Sequence, residues 1–325
     1  LTQPSQISFT GEFAQLIAGE AGGTQDNASY IDDFEGTKTT IDVTTPTSWF
    51  ISSVPSLNFK DDYSDKTGLS SGFHRSRLAW YTIDPLFTRR GSSLTPGHIK
   101  GDLKQLSNHY VREVYTKELF PLRDQSSYQG ATNTLNVLNL AYYPSEPGSY
   151  NFNVTDLQAD GTLQNPQRNW GGMMRKLDTN DFEQANIEYI EFWMLDPFIY
   201  SREEADAADY GGDFYINLGE VSEDILRDGK KFYESGMPVD GSKSYTYTQW
   251  GKIPTQSTVT YAFATTSGSR ALQDVGFNGL TDAEEQEFYK SAYLDQIQGK
   301  VNQAVFDSIF ADPARDDYHY FRGSD

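Results

Sequence analysis

The segment "DVGFNGLTDAEE" has oxygen-bearing residues at the spacing of a calcium-binding loop. When it is aligned on an EF-hand loop, Gly279 falls at position six, where that loop makes its sharp turn. Leu280 would contribute its backbone carbonyl, and the other ligands would be side chains. The predicted ligands, at positions one, five, seven, nine and twelve, are Asp274, Asn278, Leu280, Asp282 and Glu285. This spacing predicts a calcium site.

A structural role for the same segment remains open. Gly276 at position three has no carboxylate, and no convincing helix enters the loop. Asn278 and Gly279 are typical of a turn, and Thr281 with Glu284 predicts a capping box that begins a helix. The two interpretations are compatible, because a helix also leaves an EF-hand loop.

A second, weaker calcium candidate lies in "SYIDDFEGTKT", where Asp32, Asp33 and Glu35 surround Phe34. Clustered hard oxygen ligands are those that calcium prefers. This stretch resembles the first strand of calcium-containing, galactose-binding-like jelly rolls, and "GGMMRKLDTNDFEQANIEYIEFWM" resembles the core of that fold. The alternative is a solvated turn in which the aspartates accept hydrogen bonds from nearby backbone N–H groups.

The run "NIEYIEFWMLDPF" sets acids among apolar residues, and we expect it to form a strand in the middle of a sheet. In an extended strand, Glu188 and Glu191 point to opposite faces about 10 Å apart. They therefore cannot flank one glycosidic bond as the catalytic carboxylates of a glycosidase do. We expect no catalytic role for these glutamates.

The composition limits the classes of partner. The chain has 325 residues, no cysteine and a net charge of −20, which disfavours nucleic acid and anionic membrane surfaces. No apolar run of about 18 residues is present that would span a bilayer as a helix. The chain begins at Leu1 and not at a methionine, so we expect it to be a segment of a longer protein.

The elements that would position these residues are mainly β-strands. Runs rich in β-branched and aromatic residues alternate with Gly, Pro, Asn and Asp clusters, which is typical of a β-sandwich or a barrel-like fold. The resemblance of "SYIDDFEGTKT" to galactose-binding-like jelly rolls favours a β-sandwich of jelly-roll or galactose-binding-like type. These runs are "TTIDVTTPTSWFISS", "SRLAWYTIDPLF", "TLNVLNLAYYP", "GGDFYINLGE" and "STVTYAFATT". Helices are expected in "SEDILRDGKKFYESG" and, as one long amphipathic helix, from Thr281 to about Phe310.

We divide the chain into three parts. Residues 1–25 are a lead-in segment, and residues 26–270 are the β-sandwich domain. Residues 271–325 contain the calcium-loop-like turn, the long helix, which we expect to stop at Asp312-Pro313, and a tail.

Several uncommon sequence segments, taken in their order along the chain, resemble those of a known family. They are "GEFAQLI", "YIDDFEGTKTTID", "NHYVREVYTKELFP", "NVLNLAYYPSEPGSYNF", "NPQRNWGGMMR", "NIEYIEFWMLDPF", "GEVSEDILRDGKKFYESG" and "DDYHYFRGSD". In this order they resemble the SprA (Sov) family, the outer-membrane translocon of type IX secretion and gliding motility in Bacteroidetes. The similarity covers nearly the whole chain.

The resemblance implies a non-catalytic domain inserted in a large single-chain β-barrel of the outer membrane, with residues 1–25 leading in from a preceding barrel region. Its partners would be the remainder of that barrel, the secreted cargo, the shuttle protein PorV and a plug protein. We expect the domain on the extracellular side or, alternatively, in the periplasm. The main alternative is a calcium-stabilised carbohydrate-binding module on the cell surface, with Trp170, Trp193 and Trp250 as stacking residues. A glycoside hydrolase is a third interpretation.

Overall fold

The computed structural model describes residues 41–65, 68–89, 91–122, 134–177, 181–183, 187, 189–200, 211–230, 245–255, 267 and 275–317. Contacts between Cα atoms divide the chain into two units. One comprises Leu1–Ile41 and Asp181–Phe192, and the other comprises Asp42–Asn180 and Trp193–Asp325. In the first unit, the backbone N–H of Ile187 donates a hydrogen bond to the Phe182 carbonyl at 2.9 Å. The elements and sites below belong to the second unit.

Strands are short and pair only in twos in the described part of the chain. In chain order they are β1 (Phe50–Ile51), β2 (Ser76–Tyr81), β3 (Val114–Tyr115), β4 (Thr134–Leu135), β5 (Asn139–Pro147), β6 (Met173–Met174), β7 (Tyr245–Tyr247) and β8 (Lys252–Pro254). The antiparallel pairs are β1 with β6, β2 with β5, β3 with β4, and β7 with β8. The longest ladder, between β2 and β5, opposes Arg77 to Tyr143 and Tyr81 to Asn139.

Helices are more extensive and concentrate near the C-terminus. They are α1 (Lys60–Ser64), α2 (Gly97–Gly101), α3 (Leu103–Ser107), α4 (Thr116–Leu119), α5 (Asp282–Phe288), α6 (Asp295–Ile297) and α7 (Gln303–Ala311). A π-helical turn, Lys290–Leu294, joins α5 to α6. Short 3₁₀ turns occur at Pro46–Ser48, Leu69–Gly72, Pro85–Phe87 and Pro166–Arg168. None of the helices in the described ranges is both long and apolar enough to cross a membrane.

The predicted capping box at the start of α5 is confirmed. Glu284 accepts a hydrogen bond from the backbone N–H of Thr281 at 2.9 Å, and the Thr281 side chain caps the first turn in return. The predicted end at Asp312-Pro313 is also confirmed, because α7 stops at Ala311. The single long helix is wrong. The chain breaks between α6 and α7, where Gly299 has φ +80°, a left-handed conformation that glycine adopts without a steric penalty.

The core forms where these helices meet the loop after β5. Its central side chains are aromatic and completely buried: Tyr150, Phe152, Trp250, Tyr289 and Tyr293. The Phe152 ring lies 4.3 Å from the Tyr289 ring and meets the Tyr293 ring edge-on at 5.3 Å. The predicted apolar stripe contributes to this cluster through Leu294, Ile297, Val301 and Ile309. Helical spacing therefore identified this part of the core from the sequence.

The predicted jelly-roll β-sandwich is wrong. Strand makes up only 15% and helix 26% of the described structure, and the sheets have two strands each. A sandwich requires two larger sheets packed face to face, and pairs of strands cannot supply them. The content of β-branched residues correctly predicted strands β2 and β5. It did not predict which strands would pair with a third strand to form a larger sheet.

Three individual elements also differ from their predictions. Residues 189–195 form no strand and expose their large side chains, including Tyr189 and Trp193. Residues 211–220 are likewise irregular and exposed. The predicted helix beginning at Ser222 is a turn over its described part, where Asp224 accepts hydrogen bonds from the N–H groups of Asp228 and Gly229. These local bonds compete with helix formation. All residues of the predicted strand "STVTYAFATT" lie outside the described ranges.

Candidate metal centre

Glu285 is a buried carboxylate on the inner face of α5. The capping box fixes the start of the helix, and this places Glu285 on the same face as Tyr289, one turn later. Only 1% of Glu285 is exposed. Its Oε1 accepts a hydrogen bond from Asn278 Nδ2 at 2.5 Å, and its Oε2 accepts one from the backbone N–H of Ala314 at 3.0 Å. The carboxylate thus ties α5 to the preceding turn and to the segment after α7.

Two further acids lie beside Glu285. Asp282 is the first residue of α5, and Asp312 directly follows α7. Helix α7 lies alongside α5, since Gln286 Nε2 donates a hydrogen bond to the Phe310 carbonyl at 2.9 Å. The three carboxylates, one exposed, one buried and one half-buried, offer oxygens that lie within 4.8 Å of one another. This acid centre of Asp282, Glu285 and Asp312 could hold a metal ion.

Burial changes the protonation of this region. It raises the pKa of Glu285 to about 9, and the charge of Asp316 adds to the effect. Burial also raises the pKa of Asp316 to about 7, and the charge of Asp312 contributes. Asp316 Oδ2 is buried without a hydrogen-bond partner within the described part of the chain. At neutral pH Glu285 is therefore protonated unless a cation compensates its negative charge.

The structure brings together only part of the predicted calcium loop. Asp282 and Glu285 meet in the acid centre, but Asn278 has another role. Its Oδ1 accepts a hydrogen bond from the backbone N–H of Leu280 at 2.8 Å while its Nδ2 supports Glu285. The side chain of Leu280 is buried in the core. Gly279 makes the predicted turn with φ +70°. Asp274 and the second candidate cluster of Asp32, Asp33 and Glu35 lie outside the described residues.

Asp312, the third acid of the centre, was not predicted as a ligand. In the sequence it indicated only the end of the helix before Pro313, and its carboxylate was not considered. The signal that could have found it is the break at Gly299, because a helix that reverses there brings the end of α7 back to the start of α5. A continuous helix would have separated Asp282 and Asp312 by about 45 Å at 1.5 Å per residue.

The aromatic residues considered for sugar stacking occupy different environments. Trp170 and Trp250 are buried, with 6% and 1% of their surfaces exposed, whereas Trp193 is 68% exposed. Trp193 meets the Phe120 ring edge-on at 6.1 Å. Glu191 is exposed, and Glu188 lies outside the described residues. Trp170 and Trp250 are therefore core residues and cannot stack on a sugar without unfolding their surroundings.

Neither a scan against models of protein families nor a search of curated proteins finds a match.

Proposed function

We propose that this chain is a non-catalytic structural domain of an outer-membrane protein-secretion translocon, of the type IX system that also serves gliding motility. The observation that carries the proposal is the ordered series of phrases that resemble the SprA family. Their positions in the fold add support. Buried residues from three of these phrases are Tyr150, Phe152, Trp170, Met174, Ile225 and Leu226. Segments that resemble the family thus form the packed interior that a scaffold domain needs.

In this proposal the domain works as a rigid part of a conduit. The net charge of −20 keeps its surface hydrated and disfavours retention of the cargo. Its partners are the remaining barrel of the same protein, the cargo in transit, the shuttle protein PorV and the plug protein. The domain lies in the cell envelope, at the extracellular side of the outer membrane or in the periplasm.

The parent gene and its mutants test this function. The sequence flanking the domain should contain many segments of about ten residues with alternating hydrophobicity, as in an outer-membrane barrel. In the native bacterium, in-frame replacement of residues 41–317 by a flexible linker should abolish cargo secretion while the barrel still reaches the outer membrane. A stand-alone gene, or normal secretion by the assembled replacement variant, would refute the proposal.

The ion of the acid centre in this proposal is calcium. Asp282, Glu285 and Asp312 offer hard oxygen ligands from two helix ends, and calcium accepts six to eight oxygens at flexible geometry. Water and backbone carbonyls would complete the shell. Bound calcium would compensate the buried charge of Glu285 and so link α5 to the end of α7.

Thermal melting with added calcium tests this ion. A cation that binds only the folded chain must raise Tm, and Asp282→Asn should remove most of that rise because Asp282 is an exposed ligand. Asp295→Asn is the matched control, since Asp295 is exposed at the start of α6 and outside the centre. Magnesium at the same concentration is the ion control. Equal calcium shifts in both variants would exclude this site.

The alternative function is a calcium-stabilised carbohydrate-binding module. Among its three candidate tryptophans, Trp193 alone is exposed, and it lies in an irregular segment with other exposed apolar side chains. Glycan-array binding that is lost in Trp193→Ala and kept in Trp49→Ala would favour this function over the translocon domain. An absence of sugar binding in the wild type would remove it.

A further inference from the structure

A second buried charge, of opposite sign, lies far along the sequence from the acid centre. Arg75 is only 4% exposed, directly before β2. Its Nη2 donates hydrogen bonds to the Ser52 carbonyl at 3.3 Å and to the Ile225 carbonyl at 3.2 Å. Its Nε and Nη1 are buried and have no hydrogen-bond partner among the described residues. Neutral carbonyls satisfy part of this guanidinium, and they add no negative charge beside it.

The surroundings of Arg75 supply more unused donors. The guanidinium lies over the Trp170 ring at 5.2 Å, and Trp170 Nε1 is also buried without a partner in the described ranges. Arg227, two residues after the Ile225 carbonyl, is buried as well, and its Nε has no partner there either. The buried Ser52 Oγ also has no hydrogen-bond partner among the described residues. Arg75 contacts both the Trp170 ring and the Ile225 carbonyl, so these residues lie close together. In this basic centre of Arg75, Arg227, Trp170 and Ser52, several buried donors have no acceptor within the described part of the chain.

Asp62, whose negative charge acts on Arg75, does not fill this gap. Asp62 is buried, but its two carboxylate oxygens lie 2.8 and 2.9 Å from His74 Nδ1, which makes His74 its hydrogen-bond partner. Burial lowers the pKa of Arg75 to about 10, and the Asp62 charge offsets this only in part. Arginine remains charged at that value, so it cannot escape the cost of burial by losing a proton at physiological pH.

Backbone strain at Arg227 indicates that this arrangement is maintained by other contacts. Arg227 has φ +40°, a conformation that residues with a side chain adopt rarely and at a cost of about 1 to 3 kcal/mol. Its guanidinium is held 4.0 Å above the Tyr63 ring. Strained residues of this kind concentrate at ligand-binding sites, where the surrounding structure fixes them.

We propose that the basic centre binds a small tetrahedral oxyanion, of the phosphate or sulfate class, through Arg75, Arg227 and the Trp170 indole N–H. Buried water would satisfy single donors, but it brings no negative charge, and an uncompensated buried charge is strongly destabilising. Several oxygens on one anion match several donors, and charge-assisted hydrogen bonds are about twice as strong as neutral ones. The anion is a structural ligand that joins the segments of Ser52, Arg75, Trp170 and Arg227.

The first test measures binding to the 325-residue chain. After extensive dialysis into chloride buffer, addition of sodium phosphate at constant ionic strength should raise Tm by several degrees and saturate. Arg227→Gln and Arg75→Gln should weaken the apparent phosphate affinity at least tenfold. Arg77→Gln is the matched control: Arg77 is exposed, pairs with Glu146 at 2.9 Å and also lies 5.2 Å from an aromatic ring. Its phosphate response should equal that of the wild type.

The second test covers an anion that is retained through purification. Acid denaturation of the dialysed wild type, followed by ion chromatography, should then release about one phosphate or sulfate per chain, and the Arg227→Gln protein should release much less. If Arg75→Gln fails to fold, Arg227→Gln still decides. Absence of both a saturable phosphate response and a released anion would overturn the proposal and leave water at the donors. An equal response to chloride, or an unchanged response in Arg227→Gln, would overturn it too.

Discussion

The acid centre contains a buried carboxylate, Glu285, and the basic centre contains two buried guanidinium groups, Arg75 and Arg227, and the two centres can relieve that burial in different ways. Glu285 can take up a proton, and its raised pKa reflects this. Arg75 cannot become neutral at physiological pH. Protonation, or the proposed bound cation, would therefore relieve the burial of Glu285, whereas Arg75 depends on a nearby negative charge, such as that of Asp62 or of the proposed anion. We expect pH to affect the acid centre far more than the basic centre.

The largest expected effect comes from removing the buried carboxylate. Glu285→Ala leaves Asn278 Nδ2 and the Ala314 N–H without their partner and opens a cavity next to Tyr289. We expect a loss of about 3 to 5 kcal/mol in the free energy of unfolding. Urea denaturation measures it. The control is Glu287→Ala on the exposed face of α5, for which the change should be within about 0.5 kcal/mol. A loss below about 1 kcal/mol for Glu285→Ala would show that the carboxylate does not join the helices.

The pH dependence of stability should be of comparable size. The pKa of Glu285 is about 9 in the folded chain, above its ordinary value of 4.5, so the folded state binds the proton more tightly. Without divalent cations, this contribution is fully present below about pH 4.5 and is lost as pH rises towards 9, by at most about 1.4 kcal/mol per pH unit. Urea denaturation at pH 5, 7 and 9 in EDTA measures the slope.

Two variants separate this slope from general charge repulsion. The net charge of −20 also disfavours the folded state as pH rises, so part of the slope belongs to the whole surface. Glu285→Gln cannot titrate and should flatten the slope, whereas Arg75→Lys should leave it unchanged. An identical slope in Glu285→Gln and the wild type would contradict the assigned protonation.

A smaller loss of stability is expected when the N-terminal cap of α5, which helps to position Asp282 and Glu285, is removed. Thr281→Ala removes the capping box before Asp282 and should cost about 1 kcal/mol. Asn302→Ala is its counterpart on α7, where the asparagine side chain makes no capping hydrogen bond, so little change is expected. Urea denaturation compares the two. Equal losses would mean that the cap does not contribute to the position of Asp282 and Glu285.

The same contrast explains which features could be predicted from the sequence. The capping box, the helix stop and the apolar stripe depend on residues within a few positions of one another, and all three are present. The loop spacing likewise brought Asp282 and Glu285 to attention. Asp312 joins them only because the chain reverses at Gly299, and the basic centre assembles residues more than 150 positions apart. Local patterns carry no information on such long-range contacts.

The predicted sandwich failed for a related reason. The run from residue 189 to 195 has the composition of a central strand, yet a strand exists only when its backbone pairs with a neighbour. Strand propensity correctly identified β2 and β5, because these two runs have the composition of strands and also pair with each other in the structure. The pairing partners of the remaining apolar runs could not be read from their composition.

Calcium calorimetry at pH 7 in two buffers of different ionisation enthalpy tests the exchange of a proton for a cation most directly. If calcium replaces the proton on Glu285, binding should release about one proton per site, so that the observed heat differs between the buffers. Glu285→Gln should bind more weakly and without this difference, and Asp295→Asn should behave as the wild type. Calcium binding with no proton release, or no heat of binding at all, would contradict the account of the acid centre.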